Sequence, residues 1–319
     1  MIAGAFILAE DGGRAPLAQA STESALLAQI ASRDTTGDGL PDWEKPLYGI
    51  PLNATTTDYF NLGMTDGAAV AKGLIVPIAT ADLPSTSSPV ATGINAPAGA
   101  PDGTLTNAFA ENFFTLYLSA KEQSGGADLT EDQVSALADQ ALSQLSDSIS
   151  PAPDFKSAAD LKIGVSGPDA LKAFAANAEA VMATQGAQLP KSELLYLQDE
   201  VSGDTSAQGH IQTLAAAYKN IATGLAALPV PPELASADLA LINSMARIGA
   251  ASGDFARVDT DPVATMLALE QYPQTVLDMG QAFQGIAQVY ASENVVLTKG
   301  TPGASFVNVM SSIASSSTP

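Results

Sequence analysis

Residues 211–228, IQTLAAAYKNIATGLAAL, set Ile211, Leu214, Tyr218, Ile221, Leu225 and Leu228 three and four positions apart. On a helix this spacing keeps the apolar side chains on one narrow stripe, a seam that packs against another helix at about +20°. Alanines flank the seam, so a neighbouring helix can come close. Past the break at Pro229–Pro232, Leu234, Leu241, Ile248 and Phe255 recur every seven residues. Val276, Met279, Phe283, Ile286 and Tyr290 return to the three-and-four alternation beyond Pro273, which is expected to kink or interrupt the helix begun near Asp261.

Upstream the same periodicity holds. Ser166 and Pro168 open a helix bearing Leu171, Phe174, Ala178 and Val181. Thr106 to Gln123 carries Phe109, Phe113, Leu116 and Tyr117 on one face. Thr130 caps the next helix, with Gln133 in the reciprocal capping-box position and Val134, Leu137, Ala141, Leu145 and Ile149 facing inward. Asp160 to Ser166, DLKIGVS, reads as a short extended connector. Seams in consecutive segments joined by short Pro or Gly turns predict an all-α fold, an antiparallel helical bundle, and the aspartate-rich residues 34–44, DTTGDGLPDWE, add a small calcium-loop, EF-hand-like module before it.

The bundle is expected over residues 104–313, with a frayed tail at 314–319. Residues 77–103 contain PSTSSPVATGINAPAGAPDG, too poor in large apolar side chains to offset ordering, and read as a linker. The module is expected at 21–76 and opens on a helix, with Ser21 as N-cap, Glu23 in its first turn and Leu26, Leu27 and Ile30 as its stripe. Residues 1–20 begin MIAGAFILA, shorter than the ~20 residues that span a bilayer, and continue as polar EDGGRAP. They read as the remnant of a truncated signal or anchor, the competing reading being a short buried element.

The 319 residues include 34 acidic and 13 basic ones, a formal charge of −21, which repels nucleic acid and anionic membrane surfaces. There is no cysteine, which removes disulfides, thiolate metal sites and cysteine nucleophiles. Hydrophobic residues make up 46% of the chain, enough for a sizeable core.

One stretch is rich in metal-binding chemistry. Residues 34–44, DTTGDGLPDWE, space aspartates four apart around a glycine turn. A calcium loop of this type takes oxygens from positions 1, 3, 5, 7, 9 and 12. Here these are Asp34, Thr36, Asp38, the Leu40 carbonyl, Asp42 and Lys45, with Gly39 at the turn. The first five can offer oxygen. Lys45 stands where a bidentate carboxylate belongs, and an ammonium there is expected to repel the ion, so any affinity falls at the weak end, on the order of 10⁻⁴ to 10⁻³ M. A decayed metal loop kept as a tight turn, with Trp43 packed beneath it, is the competing reading.

The run DTTGDGLPDWEKPLYGIP resembles the thrombospondin type 3 and dockerin-like calcium repeats of candidate-phylum bacterial surface proteins, with Leu47, Tyr48 and Gly49 matching their corner. A degraded second copy runs from Asp58 to Val70, with Asp58, Gly63 and Asp66 at family positions and Phe60 and Leu62 in place of ligands. The resemblance implies an extracytoplasmic, often membrane-tethered protein and no reaction.

Catalytic constellations are sparse. The single histidine, His210, falls in a first helical turn and reads as a solvated helix-start residue. No GxSxG elbow and no GxxxxGKS or GxGxxG phosphate loop occurs. Asp199 with Glu200, and Asp259 with Asp261, lie near helix ends, where carboxylates complement exposed amides. The chain is therefore expected to be a non-enzymatic surface or envelope protein with a structural calcium loop and a helical domain that binds a protein partner. It would meet the membrane only through the truncated anchor. A helical solute-binding protein is the alternative, and a cell-wall hydrolase with paired carboxylates the weakest.

Overall fold

The computed structural model describes residues 25–76 apart from 27, 104–123, 131–148, and 154–308 apart from 188. The expected anchor remnant, the linker, the caps at Ser21 and Thr130 and the C-terminal tail lie outside these. What is described is mostly helical and belongs to the all-α class: α1 Asp66–Ala71, α2 Leu105–Gln123, α3 Glu131–Ser148, α4 Pro168–Gln185, α5 Glu193–Val201, α6 Ala207–Ala226, α7 Ala235–Phe255 and α8 Pro262–Ser292. The DLKIGVS segment supplies a two-residue strand, β1 Lys162–Ile163, which pairs in parallel with β2 Pro229–Val230 at the proline break.

The described residues fall into two compact units, one within Ala25–Ala152 and Arg257–Ala268, the other within Pro153–Ala256 and Leu269–Pro319. This differs from the expected boundary, since α2 and α3 group with the loop segment instead of with the later helices. The reason is local packing. The edge of the Trp43 ring meets Phe109 at 5.4 Å between centroids, and Phe109, Phe113 and Tyr117 stack along α2. Asp261 adds a polar tie: its carboxylate accepts from the backbone of Leu105 at 3.1 Å, from the backbone of Thr106 at 3.0 Å and from the Thr106 hydroxyl at 2.8 Å. It also accepts from Ala264 N–H at 3.4 Å, so one buried side chain caps both α2 and α8.

In the other unit the two seams meet. Ile211, Leu214, Tyr218, Ile221 and Leu225 of α6 are buried, and Leu234, Leu241, Ile248 and Phe255 have no exposed surface. Small residues set the spacing between α6 and α7, because a methyl group at Gly249 would lie 3.1 Å from the Ala215 carbonyl and 3.2 Å from Tyr218 Cβ. Leu228 is only half-buried and lies past the end of α6. Pro273 does not interrupt its helix: α8 continues from Pro262 to Ser292. The ring removes one backbone donor, while Tyr272, Met279 and Phe283 on either side remain buried and hold the helix in register.

Candidate functional site

The loop of residues 34–45 is shaped by its own aspartates. Asp34 Oδ1 accepts from Gly37 N–H at 2.9 Å and Asp38 N–H at 3.3 Å, and its Oδ2 accepts from Gly39 N–H at 2.8 Å. Such wrapping of backbone amides around one carboxylate needs left-handed backbone, supplied by Gly37 at φ 68° and Gly39 at φ 87°. Asp38 Oδ1 accepts from Leu40 N–H at 2.8 Å. Asp42 closes the loop, accepting from Thr35 N–H at 3.0 Å and from the Thr35 hydroxyl. Trp43 lies against the preceding helical segment, its indole N–H donating to the Ala31 carbonyl at 2.7 Å.

Four of the five residues expected to ligate calcium, Asp34, Thr36, Asp38 and Asp42, converge on one point, and the Lys45 ammonium occupies it. Nζ donates to Thr36 Oγ1 at 2.7 Å and Asp42 Oδ1 at 2.9 Å, and lies 3.4 Å from Asp38 Oδ2 and 3.6 Å from Asp34 Oδ1. Lys45 has no exposed surface. Its position follows from the chain: it opens a 3-10 helix, Lys45–Tyr48, that Pro46 starts and Gly49 ends at φ 73°, directly after the loop. Leu40, whose carbonyl was expected to add a ligand, enters the described network through its N–H to Asp38 and through a buried side chain.

The electrostatics favour this arrangement. Burial alone would lower the Lys45 pKa, yet the hydrogen bond to Asp42 and the charges of Asp42, Asp38 and Asp34 outweigh it and hold the ammonium above the ordinary lysine range. Burial would raise Asp34, but the amides of Gly39, Asp38 and Gly37 and the Lys45 charge bring it below the ordinary aspartate range. Asp38 Oδ2 is buried without a hydrogen-bond partner, and the ammonium is the charge that compensates it. A calcium ion needs six to eight oxygens at about 2.3–2.6 Å. With an ammonium at the focus and no carboxylate at position 45, the residues as arranged do not fit one. Among the described residues no group of three or more His, Asp or Glu is disposed to hold a metal.

Residues 57–74 repeat part of the hydrogen-bond pattern of residues 33–50, displaced by the step from Asp34 to Asp58, although the second copy runs on into an α-helix, Asp66–Ala71, where the first has the 3-10 helix Lys45–Tyr48. Asp58 accepts from Leu62 N–H and Gly63 N–H, each at 2.8 Å, as Asp34 does from Asp38 and Gly39. Asp66 accepts from Tyr59 N–H at 2.9 and 3.0 Å, as Asp42 does from Thr35. Asp66 N–H reaches the Thr57 carbonyl at 2.9 Å and Asp42 N–H the Arg33 carbonyl at 2.7 Å. Asn61 at φ 55° and Gly63 at φ 76° match Gly37 and Gly39, and Gly73 at φ 68° matches Gly49. At the position of Lys45 stands Ala69, fully buried, and at those of Thr36 and Asp38 stand Phe60 and Leu62, which are exposed. Gly67 N–H donates to the Asp38 carbonyl at 3.0 Å and ties the two loops together.

Other buried or paired polar groups lie elsewhere among the described residues. Glu193, which the sequence reading passed over, is fully buried with its carboxylate 2.6 Å from the Tyr272 hydroxyl and 3.2 Å from that of Tyr218. Burial raises its pKa despite both phenol donors. The separation of 79 residues between Glu193 and Tyr272 left no local signal of this cluster. Asp238 is buried with neither oxygen hydrogen-bonded, and burial pushes its pKa to about 7. Glu200 accepts from Gln208 N–H at 2.7 Å in the first turn of α6, and Asp199 pairs with Lys191. Asp259 pairs with Arg33. His210 is half-buried, its ring 4.7 Å from that of Tyr196. A shallow cleft of about 580 Å³ between α7 and α8 is lined by Glu233, Asn243, Arg247, Asp278 and Asp154, with Arg247 bridging the last two. Compared with protein-family models, curated proteins and solved structures, the chain matches none.

Proposed function

We propose that the chain is a non-enzymatic, extracytoplasmic surface or envelope protein in which the paired loops form a structural spacer and the later helices, as an antiparallel bundle, present a face to a protein partner. The observation that carries this reading is the duplication of an aspartate-glycine loop whose carboxylates are used internally, on the chain's own amides and on Lys45. A loop so arranged stiffens the chain. The pattern resembles that of repeats in bacterial surface proteins, and that resemblance supports a location outside the cytoplasm with tethering through the N-terminal segment. Among the described residues no helix is long and apolar enough to cross a membrane. On the bundle side, Ile163 and Val165 are exposed beside the short strand pair, at 56% and 78%, and offer an apolar contact for a partner.

Protease treatment or amine biotinylation of intact source cells, followed by detection of this chain, tests the location. Labelling without lysis is expected, and labelling only after lysis overturns the reading. The cleft beside Arg247 supports a second reading, a solute-binding protein, because its volume falls within the ~300–1,000 Å³ of small-molecule sites. Anionic solutes that raise the melting temperature of the wild type but not of Arg247→Ala would favour that reading.

A further inference from the structure

We propose that the Lys45 ammonium is the resident cation of the 34–45 loop, a covalently attached substitute for a divalent ion, and that a metal site is latent there and opens when position 45 carries a carboxylate. The proposal stands independently of where the protein works. Three observations carry it.

The first is geometric: Nζ lies between 2.7 and 3.6 Å from Thr36, Asp42, Asp38 and Asp34 and is shielded from solvent. Surface lysines keep their heads in water, and complete burial of an ammonium needs paired charge and hydrogen bonds. The second is the orphaned oxygen. Asp38 Oδ2 is buried, accepts no hydrogen bond and points at Nζ. A carboxylate in that position requires a cation, and among the described residues the Lys45 ammonium is the one that reaches it, Arg33 pairing with Asp42 and Asp259 instead.

The third is the second loop, which serves as an internal control. It keeps the aspartates that shape the backbone, Asp58 and Asp66, whose oxygens accept amide N–H bonds. It lacks both the cation and its inner partners: Ala69 replaces Lys45, Phe60 replaces Thr36 and Leu62 replaces Asp38. The inner oxygens and the lysine are present together in one copy and absent together in the other. A structural turn alone would require only Asp58-type and Asp66-type residues, so the inner set in the first copy is matched to a charge at its centre.

The test compares the wild-type full chain with Lys45→Glu, reading calcium by titration calorimetry and terbium by luminescence sensitised through Trp43, the sole tryptophan. The wild type is expected to give no saturable signal up to several millimolar, the weak limit of calcium sites at roughly 10⁻³ M, and a melting temperature indifferent to chelator. Lys45→Glu is expected to bind at least tenfold more tightly than the wild type and to melt higher in calcium than in chelator. Adding Asp38→Asn to Lys45→Glu should abolish the gain. If Lys45→Glu does not fold without metal but folds with it, the proposal is supported. If it folds in neither condition, Lys45→Gln, which keeps an oxygen and removes the charge, takes its place in the same comparison. Saturable calcium binding by the wild type that Asp38→Asn removes would overturn the proposal. So would a folded Lys45→Glu, or in its place Lys45→Gln, that binds no metal.

Discussion

The two loops share the turn that their first and ninth aspartates shape and differ in what fills it. In residues 34–45 three carboxylates and a hydroxyl surround an ammonium. In residues 58–69 two carboxylates bind amides, a buried alanine, Ala69, stands at the chain position of Lys45, and Phe60 and Leu62 are exposed. The difference separates two jobs that a metal loop usually combines. Folding the turn needs only the aspartates at its first and ninth positions and left-handed residues at its fourth and sixth. Charge at the centre is a second requirement, created by the inner acid and met by whatever cation is at hand.

The strongest way to break the comparison is to remove the cation and keep the acids. Lys45→Met leaves Asp38 buried beside Asp34 and Asp42 without compensation, and loss of one partner from a buried ion pair costs about 3–5 kcal/mol. Urea unfolding followed by Trp43 fluorescence should show it, whereas Ala69→Gly in the second loop removes no charge and should cost ~1 kcal/mol. The same logic sets the pH response. Lys45 is raised above its ordinary 10.5, so its contribution is complete below that value and is lost as pH climbs through the higher folded value. Asp34 is lowered below its ordinary 3.8, so its contribution is complete above that value and is lost as pH falls through the lower folded value. Trp43 fluorescence should stay level between these limits and change outside them.

Asp238 gives the opposite case, a buried carboxylate that no cation meets among the described residues. Its pKa stands at about 7 in the fold against an ordinary 3.8, so the stability it allows at low pH is lost as pH rises through that interval. Asp238→Asn should therefore stabilise the protein at pH 8 by roughly 2–4 kcal/mol and have little effect at pH 4 or below, measured by denaturant midpoint at the two pH values. Charge removed from Asp238 helps, and charge removed from Lys45 harms, although both side chains are buried. A destabilising Asp238→Asn at pH 8 would mean that its carboxylate has a role that burial does not express.

A smaller effect is expected where the loops touch. A methyl group on Gly67 would lie 2.6 Å from the carbonyl carbon and oxygen of Gly39 and 2.9 Å from the Asp38 carbonyl, all backbone atoms that cannot rotate away. Gly67→Ala should cost about 1–3 kcal/mol by forcing the loops apart. Nuclear magnetic resonance would place the shift changes on both loops if they are coupled as their hydrogen bond indicates, and on residues near 67 alone if they are not.

Much of this was legible in the sequence, for physical reasons that differ by region. The seven-residue recurrence of Leu234, Leu241, Ile248 and Phe255 predicted an inward face, and each of those side chains is wholly buried, because periodicity reports directly on which side of a helix loses water. Asp58, Gly63 and Asp66 were visible as a second copy because the turn itself demands those residue types. The sequence register sets Lys45 at the last ligand position, where its charge repels an ion, and does not show that its ammonium can take the ion's place. Register gives a residue's place in a loop but not the path of a flexible four-carbon stem, and here that path leads into the centre. Glu193 with its two tyrosines, and Asp261 across 156 residues to Leu105, arise from tertiary contact and leave no periodic trace. Of the two outcomes expected at Pro273, a kink or an interruption, the interruption does not occur, since a long helix with buried neighbours on both sides tolerates one missing hydrogen bond.

The smallest expected effect is also the most direct check that the loops are one structure used twice. Asn61 and Gly37 hold the fourth position at φ 55° and 68°, a region that asparagine enters with less strain than other side chains. If the positions are equivalent, Gly37→Asn should be tolerated within ~0.5 kcal/mol, while Gly37→Val should cost roughly 1–2 kcal/mol. No atom lies within 4 Å of a methyl group placed on Gly37, so any loss would come from backbone strain and not from collision. Equal losses for asparagine and valine would show that the Lys45-centred loop demands glycine for a reason its neighbour does not share, and the equivalence would then extend to hydrogen bonding but not to backbone freedom.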